Sequence, residues 1–389
     1  MIPFSHREDE LLVCLMRSTT DVARVRKLVD SELDWDYLLK MARRHSVSPL
    51  LYYRLNSLCP EAVPAATLSQ LKDREQENTR QSLFLTGELL NLIERLEEQG
   101  ISAIPFKGPT LGLSAYGDAA LRQFGDLDIL VHKRDVLKVK ELLVAAGFKP
   151  TPELSRAQEA ALLRFDCACN FGNQKNVLFD VHWDFAAPHF SLRLDVADMW
   201  ERLERITVAD KQLLTLSVED LLLLLCLHGF THLWERLGWI CDVAGLIDRR
   251  RDIDWQLLLD NATRQGCRRI LSLGLRLAHD LLEAPVPADI LESVQQDRVV
   301  TKLVEQVRTR MFATDPAAPG LFDEAFLQLR MRERGRDKFM SGVRLATSPR
   351  VYDWMSLTLP RRLFFLYYPL RPLRLAGKYG ARLFGSSTQ

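Results

Sequence analysis

Residues Ile101–Val131 read ISAIPFKGPTLGLSAYGDAALRQFGDLDILV, and this stretch decides the fold. Ile101–Phe106 is a short, β-rich apolar run. Lys107-Gly108-Pro109 interrupts it, and a helix-like segment follows to about Tyr116. Gly125-Asp126-Leu127-Asp128 then runs into Ile129-Leu130-Val131, the pattern of a buried strand. Side chains alternate across a strand, so Asp126 and Asp128 share one face while Leu127 and Ile129 take the other. Two carboxylates side by side at the start of a buried strand repel each other and resist desolvation. A divalent cation neutralises such a pair, and Mg²⁺ suits carboxylate ligands when substrate phosphates complete its shell. A solvated turn ahead of a strand is the plainer reading of the same letters.

Downstream, Asn176–Trp183 reads NVLFDVHW. Alternation places Asp180 and His182 on one face of this expected strand. Leu163, Phe165, Cys167, Cys169 and Phe171 alternate with Arg164, Asp166 and Asn170, which predicts a preceding strand. Gly172–Asn176 supplies the turn, so the two strands form a hairpin that carries Asp180.

A Gly-broken turn ahead of a helix, an Asp-x-Asp opening a strand and a lone Asp on a later strand resemble the polymerase-beta-like nucleotidyltransferase superfamily. The wording is closest to a bacterial branch, the uncharacterised nucleotidyltransferases. Its members show Lys-Gly after the first strand, an Arg shortly before Gly-Asp-Leu-Asp, and a later Asp-x-His-Trp. Here these are Lys107-Gly108, Arg122, Gly125–Asp128 and Asp180–Trp183. The resemblance covers about Leu90–Arg250. It implies transfer of a nucleoside monophosphate from an NTP, with ATP expected, to an acceptor such as a sugar, a small metabolite or a protein side chain.

Such transfer needs negative charge neutralised while pyrophosphate leaves, which Mg²⁺ (or Mn²⁺) between carboxylates and phosphates accomplishes. Under the resemblance, Asp126, Asp128 and Asp180 are the catalytic and metal-binding residues. Asp126 and Asp128 ligate both ions, and Asp180 ligates the one nearest the nucleophile. Gly108 opens a helix whose backbone N–H groups can meet the triphosphate. Much of the superfamily has Gly-Ser here; Thr110 takes the serine's part and Lys107 supplies a point charge. Pro109 suits the first turn of a helix in any case. Arg122 can reach a phosphate, pair with Asp126 or lie on the surface. His182 stands beside the metal site or is a hydrogen-bonded core histidine.

A second cluster, His228, His232, Trp234, Trp239 and Asp242, lies within LHGFTHLWERLGWICD. His228 and His232 share one helix face. His-Gly-Phe-Thr-His lacks the Glu of a HExxH zinc motif, which argues against zinc. The cluster either closes over the nucleotide, with His228, His232 and Asp242 as binding residues, or packs the helical part onto the sheet.

At 389 residues, with 47% apolar and 26% charged residues, the chain has an ordinary globular composition. A net charge of +1 makes nucleic acid an unlikely partner. The seven cysteines are scattered, with no CxxC pair, which argues against a disulfide framework or a zinc ribbon. The opening MIPFSHREDE has no hydrophobic signal core, so a cytoplasmic location is expected.

Periodic apolar residues predict helices from Asp9 to about Leu58 and from about Ala66 to Gly100. Helices also follow from Ser217, an N-cap serine with early acids, to about Ala346. Arg205–Leu214 reads as a short extended stretch. The expected fold is α+β: a small mixed sheet at 101–216 between a helical region at 1–100 and a helical domain at 217–347. Residues 348–389 form a basic aromatic tail with seven Arg or Lys residues against Asp353. It can lie on an anionic membrane, meet a partner or dock on the protein's own helical domain. Two rival functions are an NTP-binding regulatory module and a scaffold of a biosynthetic assembly.

Overall fold

The sheet is built around two short parallel strands. In the computed structural model, β2 (Asp126–Val131) lies beside β5 (Leu178–His182) in parallel, with Asp128 opposite Asp180 and Leu130 opposite His182. β1 (Ala103–Pro105) pairs antiparallel with β2, β4 (Ala168–Gly172) antiparallel with β5, and β3 (Lys149–Thr151) antiparallel with β4. The order β1-β2-β5-β4-β3 makes a mixed five-stranded sheet. Parallel strands require a crossover; here it comprises α7 (Val136–Ala145), β3, α8 (Arg156–Phe165) and β4. The structure describes residues 4–190, 192, 194–313, 329–332 and 335–384. Of the helical stretch expected to about Ala346, residues 314–328 and 333–334 lie outside these.

Helices precede the sheet: α1 (Arg7–Met16), α2 (Val22–Val29), α3 (Trp35–Arg44), α4 (Ser48–Leu58) and the 34-residue α5 (Ala65–Glu98). Short α6 (Gly108–Tyr116) lies between β1 and β2. After the sheet, α9 (Val196–Glu201) leads to a two-stranded hairpin, β6 (Glu204–Val208) and β7 (Lys211–Thr215). Then come α10 (Val218–Thr231), α11 (Leu237–Arg249), α12 (Trp255–Arg264), α13 (Arg268–Leu282), α14 (Ala288–Gln295) and α15 (Arg298–Met311). The Ser217 side chain caps α10 by accepting from Asp220 N–H, as its sequence predicts. The fold is α+β, a small mixed sheet flanked by helices.

The two faces of the sheet have different partners. Leu127, Ile129, Val131, Phe171, Phe179 and Val181 share a core with Leu85, Leu89 and Leu96 of α5 and Val139 and Leu143 of α7. The other face carries Asp126, Asp128 and Leu130. There Leu130, Ile104 and Phe106 belong to a larger core shared by the N-terminal helices and α10–α15. Hydrophobic packing thus crosses the boundaries read from sequence order, because residues on both sides of the sheet region fill one core.

Two local expectations are corrected. Residues 163–165 are the end of α8, and the strand begins only at Ala168. A complete capping box decides this: the Ser155 side chain accepts from Gln158 N–H, and the Gln158 side chain accepts from Ser155 N–H. Cys167, ahead of that strand, and Cys169, within it, are half-buried. The extended stretch at 205–214 is a hairpin turned at Ala209, whose φ is +51°.

The tail forms α17 (Val351–Ser356), a 3₁₀ turn (Arg361–Leu366) and α18 (Tyr367–Phe384), after α16 (Gly335–Thr347). Trp354, Phe364 and Tyr367 are buried against Ala161 and Phe165 of α8. The tail docks on the chain itself, through α8 of the sheet region and, by the Arg371–Leu345 O hydrogen bond, through α16.

Candidate active site

The carboxylates come together because β2 and β5 are in register. Asp128 and Asp180 sit opposite each other, and alternation brings His182 to the same face, one step along β5. Donor atoms of Asp128, Asp180 and His182 all lie within 4.8 Å of one another, a set that can hold a metal ion. Asp126 stands outside this trio, exposed at the start of β2.

Asp128 is the buried member, 4% exposed. Lys107 Nζ lies 3.4 Å from its Oδ1, and His182 Nε2 lies 3.1 Å from the same oxygen. Burial alone raises a carboxyl pKa. Here Lys107 and His182 outweigh burial and hold Asp128 well below the usual carboxylate range. Asp180 has no such cation in contact; its Oδ1 accepts from Asn170 Nδ2 at 2.7 Å. Burial, then the charges of Asp128 and Asp126, push it up to about 6. Asp126 is also raised, by desolvation in the cleft mouth first and by the Asp128 charge second.

Lys107 bridges two walls of the cleft. Its Nζ also lies 3.3 Å from His228 Nδ1 on α10. An ammonium only donates, so Nδ1 accepts and His228 carries its proton on Nε2. Burial, then the charges of Lys107 and His232, push the His228 pKa well below the ordinary value, so the ring is neutral. His232, exposed at the end of α10, has its ring centroid 4.6 Å from that of His228. Trp239 of α11 lies 5.3 Å from each. The histidine pair therefore forms the wall opposite the sheet, alongside Trp239, and offers no carboxylate to a zinc ion.

The turn after β1 is built for close approach. Gly108 has φ +56°, a conformation costly for other residues, and a Cβ there would lie 3.4 Å from Leu127 Cδ2. This seats the start of α6 against the start of β2. Thr110 is buried, and its hydroxyl donates to Lys107 O at 2.7 Å. It fixes the turn that aims Lys107.

Arg122 lies neither on the surface nor against Asp126. Its Nε donates to both oxygens of buried Asp242 at 3.1 and 3.2 Å, and Tyr116 Oη donates to Asp242 Oδ1 at 2.8 Å. Asp242 is thus engaged by Arg122 and Tyr116. The triad ties the end of α6 to α11 and so sets the distance between the sheet and the histidine wall.

His182 packs edge-on against Phe106, with ring centroids 5.3 Å apart, and its buried Nδ1 has no hydrogen-bond partner among the described residues. Two contributors escaped the sequence reading. Asn170 was visible on the polar face of its expected strand, and only the hairpin register reveals that it faces Asp180. Tyr116 carries no local signal at all.

The model of the uncharacterised nucleotidyltransferase family matches residues 31–283, well over half of the chain. The chain belongs to the uncharacterised nucleotidyltransferase family. No curated protein matches it. The match reaches beyond the Leu90–Arg250 stretch that carries the motifs, so α3–α5 and α12–α13 belong to the unit this nucleotidyltransferase family shares. Within it, the register-paired Asp128 and Asp180 with His182 fit a divalent cation, since two carboxylates and an imidazole are acceptable donors. The elevated pKa of Asp180 reports a carboxylate cluster short of positive charge.

Proposed function

We propose that the protein transfers a nucleoside monophosphate from an NTP, with ATP the expected donor, to a small-molecule, sugar or protein acceptor, using Mg²⁺ or Mn²⁺. The observation that carries this reading is the in-register pairing of Asp128 with Asp180, facing Lys107 across the cleft. Asp128, Asp180 and His182 would hold the metal, and Asp126 at the cleft mouth would join them. Bound there, the ion would neutralise phosphate charge and lower the barrier to pyrophosphate departure.

The chain's own residues supply the rest. Lys107, held between Asp128 and neutral His228, turns its ammonium to an incoming phosphate oxygen. Gly108 lets the α6 N-terminus approach that phosphate, and the dipole there favours negative charge. Asp180, opposite Asp128 on the cleft face, would hold the ion nearest the acceptor hydroxyl and help take its proton. The acceptor oxygen bonds to the α-phosphorus, the bond to the bridging oxygen breaks, and pyrophosphate leaves. His228, His232 and Trp239 exclude water from one side.

Pyrophosphate release should be assayed with each NTP and a panel of hydroxyl-bearing acceptors, in Mg²⁺ and in EDTA. Metal-dependent release with at least one pair supports transfer. Tight NTP binding with no release for any acceptor would favour a regulatory module.

A further inference from the structure

We infer that the C-terminal segment docks the protein on an anionic membrane surface, with residues 339–373 lying along the lipid interface. The inference stands independently of the transfer reaction.

The first observation is where apolar surface is exposed. Of nineteen large apolar residues exposed among the described residues, eleven lie between Phe339 and Leu373, under a tenth of the chain. Tyr352 is 77% exposed, Phe339 71%, Leu373 69% and Phe365 61%. Concentrated exposure of this kind marks an interaction surface, whereas scattered single residues do not.

The segment is also held firmly. Tyr367 Oη donates to Leu357 O at 2.7 Å and accepts from Leu359 N–H at 2.9 Å. Arg371 pairs with Asp353 at 2.6 Å and Arg374 pairs with it at 2.7 Å. In α18, Tyr367 and Arg371 are one helical turn apart and turn inward, while Leu370 and Leu373 turn outward. The exposed apolar residues are therefore the outer face of a docked element.

Charge selects the partner. Asp353, the tail's acid, is engaged by two arginines. Arg361 and Arg362 are exposed between Leu357, Leu363 and Phe365. Arg361 also lines a cleft of ≈ 670 Å³ with Lys133, Lys140, Arg156 and Arg164, where the acids are Glu141 and Glu159. Lys140 neutralises Glu159. An apolar and aromatic face interleaved with arginines fits anionic headgroups over acyl chains. A second copy meeting the same face would oppose like charges. Among the described residues no helix is long and apolar enough to cross a membrane, so the contact is peripheral.

The test uses full-length protein with vesicles of phosphatidylcholine, with and without phosphatidylglycerol, at low salt. Pelleting should require phosphatidylglycerol and be reversed by salt. Two double variants, Phe365→Ser with Leu373→Ser and Arg361→Gln with Arg362→Gln, change exposed residues and should leave the melting temperature unchanged. Each should weaken vesicle binding about tenfold or more, which for the arginine pair follows from ~1 kcal/mol per basic residue at a surface. Protein that stays in the supernatant, pellets equally with phosphatidylcholine alone, or pellets unchanged in both variants overturns the inference. So does a lipid-free dimer that the same variants abolish, which would assign the face to a second copy.

Discussion

Asp128 and Asp180 face each other across parallel strands, yet their proton affinities are driven in opposite directions. Asp128 sits against Lys107 and His182 and stays ionised. Asp180 has an amide neighbour and two negative ones, and holds its proton to about pH 6. Without a bound cation the site thereby contains one fixed anion and one titratable carboxylate.

That division predicts how Asp180→Ala behaves. Asp126 and Asp128 are untouched, so calorimetry with a non-hydrolysable NTP and Mg²⁺ should show affinity close to the parent. Transfer should fall ~10²–10⁴-fold, the range for losing a general base, with the loss confined to the transition state. Parental turnover in this variant would reduce Asp180 to an ordinary strand carboxylate.

A pH dependence follows. The folded pKa of Asp180, about 6, lies above its unfolded value of ~3.9. Between these values the metal-free folded state binds more protons than the unfolded state, so stability declines as pH rises through that window. Asp9, pushed up to about 6 chiefly by burial, acts with the same sign far from the cleft. Asp180→Asn should therefore flatten part of the slope, and Asp180→Asn with Asp9→Asn should flatten more. The rise in melting temperature on adding Mg²⁺ should be larger at pH 7.5 than at pH 5, because the ligand must deprotonate. An Mg²⁺ effect independent of pH would remove Asp180 from the metal site.

Lys107→Ala should act on both walls. Loss of a charged hydrogen bond weakens NTP binding by ~1.5–3 kcal/mol. Asp128 also loses its cation while staying buried, so the metal-free protein should melt lower and recover part of the loss in Mg²⁺. Unchanged NTP affinity in a folded variant would leave Lys107 with only its role against Asp128.

The Arg122–Asp242 pair gives a contrasting case. Both side chains are mostly buried, so Asp242→Ala should cost ~3–5 kcal/mol by stranding Arg122 and removing the acceptor of Tyr116. Replacing both residues, Arg122→Met with Asp242→Leu, should cost clearly less than the two single changes summed. Denaturant melts report this directly. Parental NTP affinity in the double variant would show that Arg122 positions α11 and touches no phosphate.

Local chemistry was readable where it was self-contained. The Asp126–Val131 strand, the Asp180–His182 face and the Ser217 cap each depend on a few neighbouring residues, and each is found as read. Leu163–Phe165 misled because alternation over a few residues fits a helix end as well as a strand; the Ser155–Gln158 box was the better signal. Ala209-Asp210 turns a hairpin without Gly or Asn, and Asp210 alone is a weak turn signal. Thr110 reads as a phosphate ligand by analogy of position, and the bond its hydroxyl makes within its own turn carries no sequence signal. Arg122 and Asp242 are 120 residues apart in sequence. Their pairing depends on how α11 returns to α6, which no local pattern encodes.

The shared core of the two helical regions has a further consequence. Leu11–Met16 and Ile270–Leu282 fill the same interior, and Arg17 Nε donates to Leu281 O across 264 positions of sequence. The face bearing Asp128 leans on that interior through Ile104, Phe106 and Leu130. A fragment trimmed to residues 101–216 would keep every carboxylate and still expose that apolar face to water. It would also lose the histidine wall that steadies Lys107. The carboxylate motif is short enough to quote in one line, but the interior that its strand leans on is filled from Leu11 to Phe312.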